Sequence, residues 1–77
     1  MFIISWNCGG AFRKKCKQLI EYNCDVMIIQ ECENPNKVEY PKKFKISMPN
    51  YIWVGDNKNK GLAVFSKHKL KDNLWDS

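Results

Sequence analysis

The chain has 77 residues, of which 44% are hydrophobic, 13% aromatic and 27% charged, a globular composition with room for one small domain and a limited apolar core. It contains no repeat, no low-complexity run and no apolar stretch near membrane-spanning length. Its start, Met1-Phe2-Ile3-Ile4-Ser5-Trp6-Asn7, lacks the basic residues and long apolar run of a signal peptide, so a cytoplasmic protein without a membrane partner is expected. Thirteen Lys and Arg against eight Asp and Glu give a net charge of +5, which suits a polyanion such as nucleic acid and equally suits a surface kept soluble by lysine.

Phe2 to Asn7 is apolar, aromatic and free of breakers, and it predicts a first strand ended by Cys8-Gly9-Gly10. From Ala11 to Asn23 the period becomes helical. Phe12, Cys16, Leu19, Ile20 and Asn23 share one face, and Arg13, Lys14, Lys15, Lys17, Gln18 and Glu21 fill the other, which reads as a solvated face. Asn23 ends that helix. Asp25-Val26-Met27-Ile28-Ile29-Gln30-Glu31 follows as a second strand, a short apolar run of the kind buried on both faces, delivering a carboxylate to its carboxyl end. Strand, helix and strand make a βαβ unit, so the two strands should run parallel and bring Asn7 and Glu31 to one sheet edge, where open α/β sheets bind ligands.

Residues 33–43 form a polar loop with Pro35 and Pro41, and 45–48 reads as a short extended piece before Pro49. Tyr51-Ile52-Trp53-Val54 and Leu62-Ala63-Val64-Phe65-Ser66 read as third and fourth strands in a hairpin, joined by the turn residues 55–61. The expected architecture is therefore α/β: a βαβ unit plus a β-hairpin in a mixed four-stranded sheet with one helix. One helix covers only one face of a sheet, while Ile28 and Ile29, like Val64 and Phe65, point to opposite faces. The second face needs a cover: residues 67–77 with Leu74 and Trp75, a second copy of the chain, or a further domain.

The four cysteines, at 8, 16, 24 and 32, lack the paired spacing of a zinc site, and without a secretory signal they read as buried free thiols. Cys8 and Cys32 follow Asn7 and Glu31 and should share their edge. Trp6 reads as core. His68, between two lysines, reads as a solvated surface residue. Lys58, Lys60 and Lys67, with Trp53 and Tyr51 nearby, are candidates to track a phosphate backbone and stack a base, and equally read as solubilising lysines.

Three pieces together, Ile4-Ser5-Trp6-Asn7 with its glycines, Asp25 to Gln30-Glu31, and Gly61-Leu62-Ala63-Val64-Phe65-Ser66-Lys67, resemble in order and spacing the N-terminal third of the endonuclease/exonuclease/phosphatase superfamily. That family includes DNase I-like nucleases, abasic-site endonucleases and inositol phosphatases. The resemblance implies that residues 1–77 are a single truncated half of the DNase I-like sandwich. It implies that Glu31 is a ligand of a catalytic Mg²⁺ or Mn²⁺, and that Asn7 orders the metal site and the scissile phosphate. It also shows what is missing: the family's later Asp-x-Asn and Ser-Asp-His elements have no counterpart, since Asp72-Asn73 and His68 come too early.

The function this predicts is a truncated metal-dependent phosphodiesterase of the nuclease family, inactive as an isolated chain. One alternative is a small non-catalytic binding or inhibitor protein of phage or mobile-element type, acting on nucleic acid or on a complex that processes it. The other is a structural homodimer that pairs its uncovered sheet faces.

Overall fold

The computed structural model describes residues 1–70; Leu74, Trp75 and Asp72-Asn73 lie outside them. The elements follow in the order β1 (Ile3–Asn7), α1 (Phe12–Ile20), β2 (Val26–Cys32), α2 (Lys42–Ser47), β3 (Asn50–Asn57) and β4 (Lys60–Ser66). The four strands form one mixed sheet in the order β1-β2-β4-β3. β1 runs parallel to β2 with Ile3 opposite Val26 and Asn7 opposite Gln30, as a βαβ crossover requires. β4 is antiparallel to both β2 and β3.

α1 forms where Phe12, Cys16, Leu19 and Ile20 recur at helical spacing. Phe12 and Cys16 are fully buried, and Leu19 and Ile20 pack against the same cluster. The helix ends where Asn23 takes a left-handed conformation (φ 52°) and its N–H donates to the Ile20 carbonyl at 3.0 Å. Asn23 itself is exposed rather than part of the buried face.

The described residues form two helices rather than the one read from sequence. Residues 45–48, expected to be extended, belong to α2 and its C-terminal cap. A six-residue helix is marginal by itself. This one is held because Phe44 and Met48, four apart, both turn inward, Phe44 reaching ring-centroid distances of 5.7 Å from Phe12 and 5.0 Å from Phe65. Its three lysines, Lys42, Lys43 and Lys45, remain exposed.

Both helices pack on the sheet face that carries Met27, Ile29, Ala63 and Phe65. The other face carries Val26, Ile28, Ile52 and Val64 at its centre, with Ile3 (50% exposed), Leu62 (45%) and Val54 (65%) around them. No helix or strand of the described residues covers it. β2 is therefore covered on one face only among the described residues, where the sequence led to an expectation of burial on both. Among the described residues no helix is long and apolar enough to cross a membrane.

All four cysteines are free and buried. Burial pushes the thiol of Cys16 up to about 11 and that of Cys32 up to about 12, from an ordinary value of 9.0. Between those limits the unfolded chain loses protons that the folded chain keeps. The stabilisation from these thiols is therefore complete below pH 9.0 and is lost as pH rises towards 11 and 12. The urea midpoint is expected to fall steadily above pH 9.0, and less steeply in Cys16→Ala measured against its own neutral-pH midpoint; parallel profiles for the two proteins would contradict this.

Candidate functional site

The carboxyl edge of the parallel pair is built by backbone pairing. Beyond Asn7 the ladder continues for one residue, the Cys8 N–H donating to the Gln30 carbonyl at 3.2 Å. Asn7 Oδ1 accepts from the Gly9 N–H at 3.2 Å, closing a short turn in which Gly9 and Gly10 both have positive φ. Lys15 Nζ, one turn into α1, donates to the Cys8 carbonyl at 2.6 Å and pins the same loop. The Cys8 thiol points across the strand end, 3.4 Å from the Gln30 carbonyl oxygen and 3.3 Å from that of Glu31. Asn7, Cys8, Glu31 and Cys32 therefore share one edge, as the parallel register requires.

Glu31 occupies an irregular position in β2. The pairing with β4 shifts between Ile29 and Cys32, and within that bulge Glu31 adopts a left-handed backbone (φ 54°). A non-glycine residue in that region costs about 1–3 kcal/mol. Bulges commonly re-aim a side chain at a sheet rim. Glu31 is half-buried.

Antiparallel pairing then sorts the candidate nucleic-acid residues. Gly61 at the start of β4 faces Cys32 at the end of β2, so the hairpin tip with Lys58 and Lys60 lies at the Glu31 end of the sheet. The Lys58 carbonyl accepts from the Asn34 N–H at 2.7 Å, tying that tip to the chain just beyond β2. Lys67 lies at the opposite end, about 23 Å from Lys60 along an extended strand. There its amine bonds Asn23 Oδ1. The three lysines do not form one patch.

Trp53 is half-buried, its ring lying against Gly55 and Gly61 and its indole N–H donating to the Cys32 carbonyl at 2.9 Å. His68 is exposed and sits with Lys67 at the far end, Nε2 3.4 Å from Asp25 Oδ1. The Asp25 carboxyl is held below its ordinary value, first by the Phe2 N–H that it accepts and then by His68.

Sequence reasoning missed the ion pair beside the site. Glu33, only 4% exposed, accepts the Arg13 N–H at 3.0 Å through Oε1 and pairs its second oxygen with the Arg13 guanidinium. α1 begins at a left-handed Ala11 and has neither a side-chain cap nor an acid in its first turn. Glu33 supplies that missing carboxylate from 20 residues away. Nothing in the spacing links positions 13 and 33; the only local hint is an acid two residues beyond Glu31. Tyr40 completes the support, its buried hydroxyl donating to the Glu33 carbonyl at 2.9 Å.

Among the described residues no group of three His, Cys, Asp or Glu side chains is placed to hold a metal ion. Comparison of the sequence with models of known protein families and with curated proteins finds no match.

Proposed function

We propose that the chain is the phosphate- and metal-binding half of a phosphoester hydrolase of the endonuclease/exonuclease/phosphatase type, catalytically incomplete until further polypeptide covers its open sheet face. The observation that carries this reading is Glu31, held in a strained left-handed bulge at the carboxyl edge beside the strand-end Asn7. Strain retained at a strand end is characteristic of functional positions. The three sequence motifs and the basic hairpin at the same edge support it further.

The donor set fits a hard cation that arrives with its substrate. One carboxylate, Glu31, and the amide oxygen of Asn7, which keeps a lone pair beyond the one given to Gly9, are the oxygen ligands Mg²⁺ or Mn²⁺ accepts alongside phosphate and water. Such an ion would polarise the phosphate and stabilise the leaving oxygen. Asn7 fixes the loop over the edge, and Lys58 and Lys60 draw the phosphate backbone towards it. None of the described residues at this edge is placed to orient an attacking water, so the isolated chain is expected to turn over poorly.

The test is a Mn²⁺ titration followed by NMR. Paramagnetic broadening is expected at Asn7, Gln30 and Glu31, and to need about ten- to a hundredfold more Mn²⁺ in Glu31→Gln, the loss of a charge-assisted interaction being worth about 1.5–3 kcal/mol. Equal broadening in both proteins would sink the metal assignment. Mg²⁺-dependent cleavage of plasmid or abasic oligonucleotide by the chain alone, abolished by Glu31→Gln, would overturn only the incompleteness.

The exposed apolar face favours one second reading, a homodimer joined through Ile28, Ile52 and Val64 with no ligand. A monomer by light scattering at high concentration would remove it.

A further inference from the structure

A cavity of about 210 Å³ lies between α2 and the β3–β4 ladder, away from the Glu31 edge. Its floor is the edges of three buried rings, Tyr40, Phe44 and Phe65, whose centroids lie 5.0 to 5.9 Å apart. Its sides are the half-buried Tyr51 and the exposed Pro49, and Lys45 stands at its mouth. Phe65 pairs in register with Met27, about 13 Å along the strand from Glu31, and it marks the cavity's inner end; Pro35 and Tyr40 line the side nearer the end of β2. None of Asn7, Glu31, Lys58 and Lys60 lines it; Tyr40, whose hydroxyl supports Glu33, is the residue the two regions share.

We propose that this cavity takes one base of a single-stranded nucleic acid, with the adjoining phosphate on Lys45 and Lys42. Size limits the occupant to a ring or fused pair, because a dry cavity of about 150 Å³ already accommodates benzene. The walls select a flat apolar group: Tyr51 offers a half-buried ring, its hydroxyl anchored on Asn36 Oδ1. Stacking on such a ring is worth about 1–3 kcal/mol per base. Charge selects an anion. An aromatic box can also hold an alkylammonium group, but here the mouth carries Lys45, and Lys42 lies one turn earlier on the same side of α2. The net charge of +5 acts in the same direction. Lys45 is poised rather than committed: its partner Glu39, at 2.5 Å, is an exposed carboxylate that a phosphate can displace. Trp53, the other aromatic of β3, is occupied with Gly55, Gly61 and the Cys32 carbonyl. Tyr51 is the ring left available for stacking.

The probe is a short oligothymidylate titrated into the whole chain, followed through the ring protons of Tyr40, Phe44, Tyr51 and Phe65. These signals are expected to shift. Affinity is expected to fall with salt at a log–log slope of about −0.7 per phosphate engaged. Lys45→Glu is expected to weaken binding about tenfold and to remove about one contact from that slope. Tyr51→Leu should weaken it about tenfold by removing the wall, while Tyr51→Phe should keep it; an unchanged far-ultraviolet circular dichroism spectrum confirms that both remain folded.

Three results would overturn the proposal. The first is shifts confined to the Lys58–Lys60 hairpin. The second is unaltered affinity in Lys45→Glu. The third is binding of thymidine or a trimethylammonium compound as tight as that of the oligonucleotide. Because Glu31→Gln should leave this binding unchanged, loss of the metal assignment and loss of this site are separate outcomes.

Discussion

Replacing Phe12 with alanine is expected to leave the chain largely unfolded at room temperature. Phe12 has no exposed surface, and its ring sits at the hub of the core, with centroid distances of 6.3 Å to Trp6, 6.1 Å to Tyr40, 5.7 Å to Phe44 and 5.6 Å to Phe65. It is the first residue of α1 and the point where that helix, α2 and the sheet meet. Truncating a buried Phe to Ala costs about 3–5 kcal/mol. A domain of this length has about 4–12 kcal/mol in total. Among the described residues the largely apolar second sheet face has no helix or strand over it and contributes less to folding than a covered one, which places this chain towards the lower end. The loss therefore consumes most of the margin. Far-ultraviolet circular dichroism in urea checks it. Phe12→Leu, which leaves a smaller void, should retain a cooperative transition at lower urea, and an unchanged midpoint for Phe12→Ala would show that the aromatic cluster is not what joins the layers.

The same hub explains which parts of the fold were legible in the sequence. β1, α1, β2 and the hairpin each announce themselves over a continuous stretch, by alternation, by helical spacing or by turn residues. Each appears within a few residues of its expected bounds. α2 does not. Its signal is two residues, Phe44 and Met48, inside a lysine-rich segment between prolines, and its helicity is decided by Phe12 and Phe65, which are distant in sequence. Local pattern cannot report a helix whose stability is tertiary.

The candidate site divides the same way. That Asn7 and Glu31 share an edge follows from the handedness and parallel pairing of a βαβ unit, and the register has it so. The left-handed backbone of Glu31 had no signal, because a bulge is a property of two paired strands and only β2 is visible at that point in the chain. Lys67 looked equivalent to Lys58 and Lys60 as a basic residue close in sequence, yet strand geometry sends it to the other end of the sheet. The sequence also indicated that one helix leaves one sheet face in need of a cover, and no helix or strand of the described residues supplies it. A second helix did not resolve this, since α2 joined α1 on the face already covered.

The second large effect is expected at Gly61, where alanine should destabilise the chain by about 2–4 kcal/mol, overpacking costing about 1–3 and a lost hydrogen bond about 1. Glycine within a strand often marks a close approach of another group. A Cβ on Gly61 would lie 2.3 Å from Trp53 Cε2 and Cζ2 and 2.6 Å from Nε1. These are the fused rings of the indole, which cannot bend away like the tip of a flexible chain. Retreat in the other direction is restricted too, since the same ring crosses Gly55, where a Cβ would stand 2.9 Å from Cη2. The indole must swing out, and its N–H then leaves the Cys32 carbonyl.

The consequence reaches the carboxyl edge, because Cys32 is both the register partner of Gly61 and the neighbour of Glu31 in the bulge. Releasing that carbonyl removes one of the bonds that hold Glu31 in its left-handed conformation. Gly61→Ala should therefore weaken the Mn²⁺ binding proposed at Asn7 and Glu31 as well as lowering the urea midpoint. The steric origin can be isolated by a double-mutant cycle. In a Trp53→Leu background the alanine meets no ring, and its cost should fall to less than about 1 kcal/mol, with the reduction in Mn²⁺ affinity disappearing in parallel. An equal cost in both backgrounds would mean that Gly61 serves the strand itself, and that the indole neither shapes the bulge nor supports the site.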